Sequence, residues 1–80
     1  MKIPAIKKLV ETQTIENLRQ AEEQLLNEET PAFDIEGEDE GEKLTHVFGA
    51  IWILNHMGDH KVDFKTALRE FTQKVRVSIN

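Results

Sequence analysis

Between Leu44 and Met57 the chain reads LTHVFGAIWILNHM, directly after the acidic run GEDEGE at residues 37 to 42. At 100° per residue, Leu44, Val47, Phe48, Ile51 and Leu54 form one broad apolar stripe. Ala50, Ile53 and Met57 form a second stripe with His46 beside them, and Thr45, Gly49, Trp52 and His56 fall on the third side. A helix with so little polar surface has to be covered nearly all round. The whole chain has 80 residues with which to do so. A domain of that size buries about 60 to 65% of the surface its unfolded form exposes, so apolar burial and ordering entropy nearly cancel. There is no cysteine. That excludes disulfides, thiolate metal sites and thiol chemistry, and fits a reducing compartment. Regular helix packing, a histidine/carboxylate metal or self-association remain as ways to stabilise the fold.

The acidic run has a physical reason to precede the apolar one. A helix N-terminus presents free N–H groups and partial positive charge, so each well-placed carboxylate there stabilises by about 0.3–1 kcal/mol. Glu38, Asp39, Glu40 and Glu42 therefore read as a start signal and a solvent anchor. The spacing predicts a helix beginning near Asp39 or Glu40 and ending near Met57, with Gly58 as the residue after its end. A calcium-binding loop fails on spacing. With Asp34, Glu36 and Glu38 at its first ligand positions, Asp39 stands where glycine is needed and Thr45 where the bidentate glutamate belongs.

Three further helices are expected around this one. A short N-terminal helix carries Pro4 in its first turn and an apolar stripe of Ile3, Ile6, Leu9 and Val10. A second helix, from about Ile15 to Glu28, has Thr14 as N-cap. Ile15, Leu18, Ala21, Leu25 and Leu26 share one side, and Thr30-Pro31 stops it. A fourth follows Asp63 as N-cap, with Phe64, Ala67, Leu68, Phe71 and Val75 inward and Lys65, Arg69, Gln73, Lys74 and Arg76 toward water. Residues 32 to 42 form an acidic connector in which Phe33 and Ile35 can drop onto the core. The expected architecture is a single all-α domain over residues 1–80, a small bundle of three main helices plus the short N-terminal one.

The charge is −5, and unevenly spread. Residues 1 to 8 hold three lysines and no acid; residues 11 to 42 hold twelve acids and one base, Arg19; residues 60 to 80 hold five bases against Asp63 and Glu70. An acidic chain argues against unassisted nucleic-acid binding, which needs a basic face. Basic ends either fold back onto the acidic middle or pair head to tail between subunits, and the first alternative is the simpler. The longest apolar stretch, AIWIL at residues 50 to 54, is far below the roughly 20 residues of a membrane span, and no targeting segment is evident. The expectation is a soluble, cytoplasmic protein with no membrane partner.

Chemistry-bearing patterns are sparse. There is one serine, Ser78, no tyrosine, and no nucleophile elbow, phosphate loop or dinucleotide fingerprint, so no enzyme is expected. Glu42 and His46, four apart, make the one acid–base pair worth testing. His46 and His56 stand about 15 Å apart along an unbroken helix and cannot share an ion within one subunit. His56 and His60 are also four apart, but the expected helix end at Gly58 separates them. Glu42, His46 and His56 are thus weak metal candidates, and no cofactor is implied. The leftover apolar flank points instead to an interaction surface. Thr45 and Gly49 are small and four apart, allowing close backbone approach. Trp52 and His56 add a large ring and a polar tip, although a sole tryptophan is as readily core. Thr45, Gly49, Trp52 and His56 are therefore the expected interface of a homo-oligomer, most simply a two-fold dimer, with the acidic connector free to meet a basic protein partner.

The stretches MKIPAIKKLVE, GEDEGEKLTHVFGAIWILNHM and VDFKTALREFTQKVR resemble a family of short acidic proteins of unknown function from Bacteroidetes, over essentially the whole chain. The resemblance implies a small stand-alone helical cytoplasmic protein and offers no catalytic or binding residues to transfer.

Overall fold

The computed structural model describes the backbone of residues 2–79 and the side chains of residues 2–74. It has four helices and, among the described residues, no strand: α1 (Ile3–Thr12), α2 (Ile15–Leu26), α3 (Glu40–His60) and α4 (Phe64–Ile79). The expected all-α bundle with a short first helix and an acidic connector is the fold observed.

Helix starts follow the local chemistry of the caps. Thr14 Oγ1 accepts from Asn17 N–H at 3.1 Å, and Asp63 Oδ1 accepts from Thr66 N–H at 2.9 Å. The hydrogen bonds from Thr66 hold the Asp63 carboxyl below the usual carboxylate range. At α3, Asp39 Oδ1 accepts from Glu42 N–H at 2.8 Å, while Glu42 Oε1 accepts from Glu38 N–H at 2.9 Å. The two carboxylates satisfy each other's neighbouring donors, a one-residue variant of the capping box. The acidic run is a helix start, as its composition indicates.

Helix ends depart from expectation. α2 stops at Leu26, two residues early, in a turn where Glu28 N–H donates to Leu25 C=O at 3.1 Å and Glu29 N–H to Gln24 C=O at 2.7 Å. These two bonds define a Schellman motif with Glu28 at φ 60, so the backbone closes the helix before Thr30-Pro31 is reached. α3 runs through Gly58 to His60, and the left-handed residue that ends it is Lys61 at φ 53. Glycine inside a helix costs about 0.5–1 kcal/mol relative to alanine, too little to stop a helix whose flank is buried. A Cβ at Gly58 would meet nothing within 4 Å. Gly58→Ala is accordingly expected to raise stability by about 0.5–1 kcal/mol, read as a higher denaturation midpoint at unchanged slope. A loss of stability would mean that α3 does not continue past Met57.

α3 is the hub of the bundle. It packs against α1, α2 and α4, while among the described residues no two of those pack extensively on each other. The core joins Ile6 and Leu9 of α1, Leu18, Ala21 and Leu25 of α2, Val47, Ala50, Ile51 and Ile53 of α3, and Ala67 and Phe71 of α4. Fully burying a large aliphatic side chain such as Ile6, Leu18 or Ile53 contributes about 1.5–3 kcal/mol. Ile35 of the connector is buried in the same cluster and Phe33 packs on it half-exposed, as their alternation with acids suggests.

Three apolar residues expected inward face water: Ile3 is 44% exposed, Leu26 63% and Phe48 57%. The buried face of α1 is Ala5, Ile6 and Leu9. On α4, Lys65, Arg69, Gln73 and Lys74 are exposed as expected, whereas the side chains of Val75, Arg76 and Ser78 lie outside the described residues. The shape explains why a flank is left over. α3, at 21 residues, is about 31 Å long, close to the 32 Å long axis of the molecule. The short axis is 18 Å, about two helices thick. A slab two layers deep cannot enclose an all-apolar rod.

Candidate functional site

The side of α3 expected to be the interface is largely taken up within the chain. Gly49 is buried, and a Cβ there would stand 3.1 Å from Phe71 Cζ and 3.2 Å from Ile6 Cδ1. Its missing side chain admits α4 and α1 of the same chain rather than another backbone. Trp52 is half-buried, tilted against Phe71 with ring centroids 5.5 Å apart and stacked on His56 at 4.6 Å. Thr45 is exposed, and its hydroxyl donates back to Gly41 C=O at 2.9 Å. Of the four, Thr45 is exposed, Trp52 and His56 are partly covered, and Gly49 is sealed. The tertiary contacts correct the assignment of Gly49 to an intermolecular face.

The bare flank lies elsewhere on α3. Leu26 of α2 and Phe48 of α3, with Leu44, Thr45 and Glu22, line a shallow groove of ≈ 290 Å³. It continues into a second groove of ≈ 520 Å³ where Ile51, Arg19 and Glu23 join the lining. The floor is apolar and the rim is acidic apart from Arg19. Composition could not single out Phe48, because α3 is apolar on every side. For Leu26 a weak signal existed: adjacent residues point about 100° apart, so Leu25 and Leu26 cannot both face the core squarely.

The histidines divide into two environments. His46 is fully buried. Its Nε2 accepts from Lys2 N–H at 2.9 Å, and its Nδ1 lies 2.7 Å from the carbonyl oxygen of Glu36. The amide donor assigns the tautomer: Nδ1 carries the proton and donates to Glu36. Both ring nitrogens are engaged, so His46 pins the N-terminus and the connector to α3 and has no lone pair left for a metal. Glu42 is committed to the α3 cap. The Glu42/His46 pair is thereby corrected from candidate acid–base or metal pair to two separate structural roles. His56 instead meets Glu70 of α4 through a hydrogen bond from ring Nε2 to Oε2, and its ring lies 4.2 Å from that of His60, centroid to centroid. Sequence reasoning missed Glu70, 14 residues away in the chain, and discounted His60 through the expected helix end at Gly58.

A family model matches residues 1–80. The chain belongs to a family of unknown function, DUF6952. Membership agrees with the resemblance seen in the three quoted stretches and assigns no role to any residue of this DUF6952 chain. No curated protein and no solved structure matches it. Among the described residues, no helix is long and apolar enough to cross a membrane.

Proposed function

We propose that this protein is a small non-enzymatic interaction module that self-associates head to tail. The observation that carries the reading is the charge around its exposed apolar residues. Among the described residues, the large hydrophobics left exposed are Ile3, Leu26 and Phe48. Ile3 stands among the exposed lysines Lys2 and Lys7, whereas Leu26 and Phe48 form a groove beside Glu22 and Glu23. An apolar knob with a basic collar thus complements an apolar groove with an acidic rim. The two cannot meet within one chain. Ile3 follows Lys2, which is tied to His46, and His46 and Phe48 point about 200° apart around α3. A groove-to-groove dimer would instead set Glu22 and Glu23 of both copies against each other, with Arg19 alone to compensate. Complementary patches on different parts of a surface favour heterologous contact, which closes into a ring or extends as a chain. The same groove suits a basic amphipathic segment of another protein, and the self-association test separates the two occupants.

The test uses two variants that each destroy one half of the contact. Ile3→Asp spoils the knob and leaves the groove; Phe48→Asp spoils the groove and leaves the knob. In sedimentation at low salt, the native chain is expected to gain mass with concentration, and each variant alone to stay monomeric. Mixed one to one, they should form a heterodimer that grows no further. Raising salt should weaken the native association, because the rim charges are solvent-exposed. A native chain that remains monomeric at about millimolar concentration would refute self-association. Two-fold dimers that survive either substitution would refute the head-to-tail arrangement.

A further inference from the structure

We infer that His56 and His60, with Glu70 opposite them, form a binding site for a divalent transition-metal cation of the zinc, nickel or copper class. Three features converge there. First, α3 is unbroken through Gly58, so His56 and His60 occupy successive turns of one face, with rings 4.2 Å apart and tilted by 37°. Two histidines at this spacing on a helix can both reach a single ion, and neutral imidazole is a preferred ligand for these cations. Second, Glu70 brings a carboxylate from α4 to His56 Nε2. A cation takes the place of the proton shared between them and is met by nitrogen and oxygen from two different helices. Third, His60 lies in the last turn of α3, where the free carbonyl end of the helix favours positive charge.

Among the described residues no group of three or more histidine, cysteine, aspartate or glutamate side chains is placed to hold a metal ion as it stands. The site therefore forms by small side-chain rotations. Two nitrogens bound to one tetrahedral ion at about 2.0–2.1 Å stand about 3.3 Å apart. To reach that arrangement the tilted rings have to turn toward a common point by side-chain rotation. His56 is partly exposed, His60 and Glu70 are exposed, and water completes the coordination shell. Such a site is open on its solvent side, with two histidines and one carboxylate as the protein ligands.

Trp52 supplies the readout, because its ring is stacked on His56 at 4.6 Å and it is the sole tryptophan. Copper(II) chloride or nickel(II) chloride titrated into the native protein is expected to quench tryptophan emission to saturation at one ion per chain. Zinc, which does not itself quench, should reverse that signal by competition. His60→Ala and Glu70→Gln should each weaken binding at least tenfold, while Gly58→Ala leaves it intact. Calorimetry with zinc alone provides a measurement independent of fluorescence. Absence of saturable one-to-one binding would overturn the assignment. So would binding of unchanged affinity in both His60→Ala and Glu70→Gln, which would place the ion elsewhere.

Discussion

Gly49→Val is expected to cost about 3 kcal/mol, a large share of the roughly 4–12 kcal/mol that a chain of this length has in total. The position lies where α1, α3 and α4 meet. A Cβ at Gly49 would come within 3.2 Å of both Ile6 and Phe71, two side chains that are themselves buried. A single methyl group is a near-balanced case. Gly49→Ala gains up to about 1 kcal/mol of helix preference, which offsets the squeeze if Phe71 can yield a few tenths of an ångström. Valine adds two more methyl groups with no space to receive them, so α4 or α1 has to lift off α3. Chemical denaturation of the two variants side by side tests this difference. Equal stability of the valine variant and the native chain would mean that α1 and α4 do not close over Gly49.

His46→Phe is expected to lower stability by about 2 kcal/mol and to loosen two segments that are distant in sequence. Phenylalanine keeps a ring in the fully buried site but offers no nitrogen to Lys2 N–H or Glu36 C=O. Leaving a buried donor or acceptor unpaired costs about 1–3 kcal/mol for each group. Partial access of water to both partners keeps the sum near the lower end. The distinguishing result is local. Residues near Lys2 and the connector around Glu36 should become protease-sensitive together, before α2 or the body of α3 opens. A variant with native stability and an intact connector would show that the imidazole bonds do not tie these segments down. His46→Ala would lose the ring packing as well and should be the less stable of the two.

How much was legible differs from one helix feature to the next. Thr14, Asp39 and Asp63 are caps because a side-chain oxygen reaches a backbone N–H three residues on, and nothing distant has to be known. Much of the inward faces of α2 and α4 follows from spacing as well, with Leu18, Ala21, Leu25, Ala67 and Phe71 buried, although Leu26 turns out to water. Helix ends were less legible, since Glu28 and Lys61 adopt left-handed backbone without being glycine. A local rule that waits for glycine or proline overshoots α2 and undershoots α3. The undershoot had the larger consequence, because it hid the alignment of His56 with His60.

The candidate surface was legible in kind but not in place. An apolar rod in an 80-residue chain leaves oily flank over, and exposed Phe48 and Leu26 agree with that surplus. Its position was hidden by the absence of any polar face on α3, which removed the periodic signal that marks inside from outside. Local sequence by itself determined the number of helices, their starts, most of the inward faces of α2 and α4, and the presence of uncovered apolar surface. All of these are set by contacts within a few residues or by the ratio of apolar area to chain length. Only the tertiary structure decided that Gly49 is sealed, that Phe48 is bare, that His46 bridges residues 2 and 36, and that Glu70 meets His56. Each depends on where a remote helix docks, and a rod that is apolar on every side offers several docking directions of similar local quality.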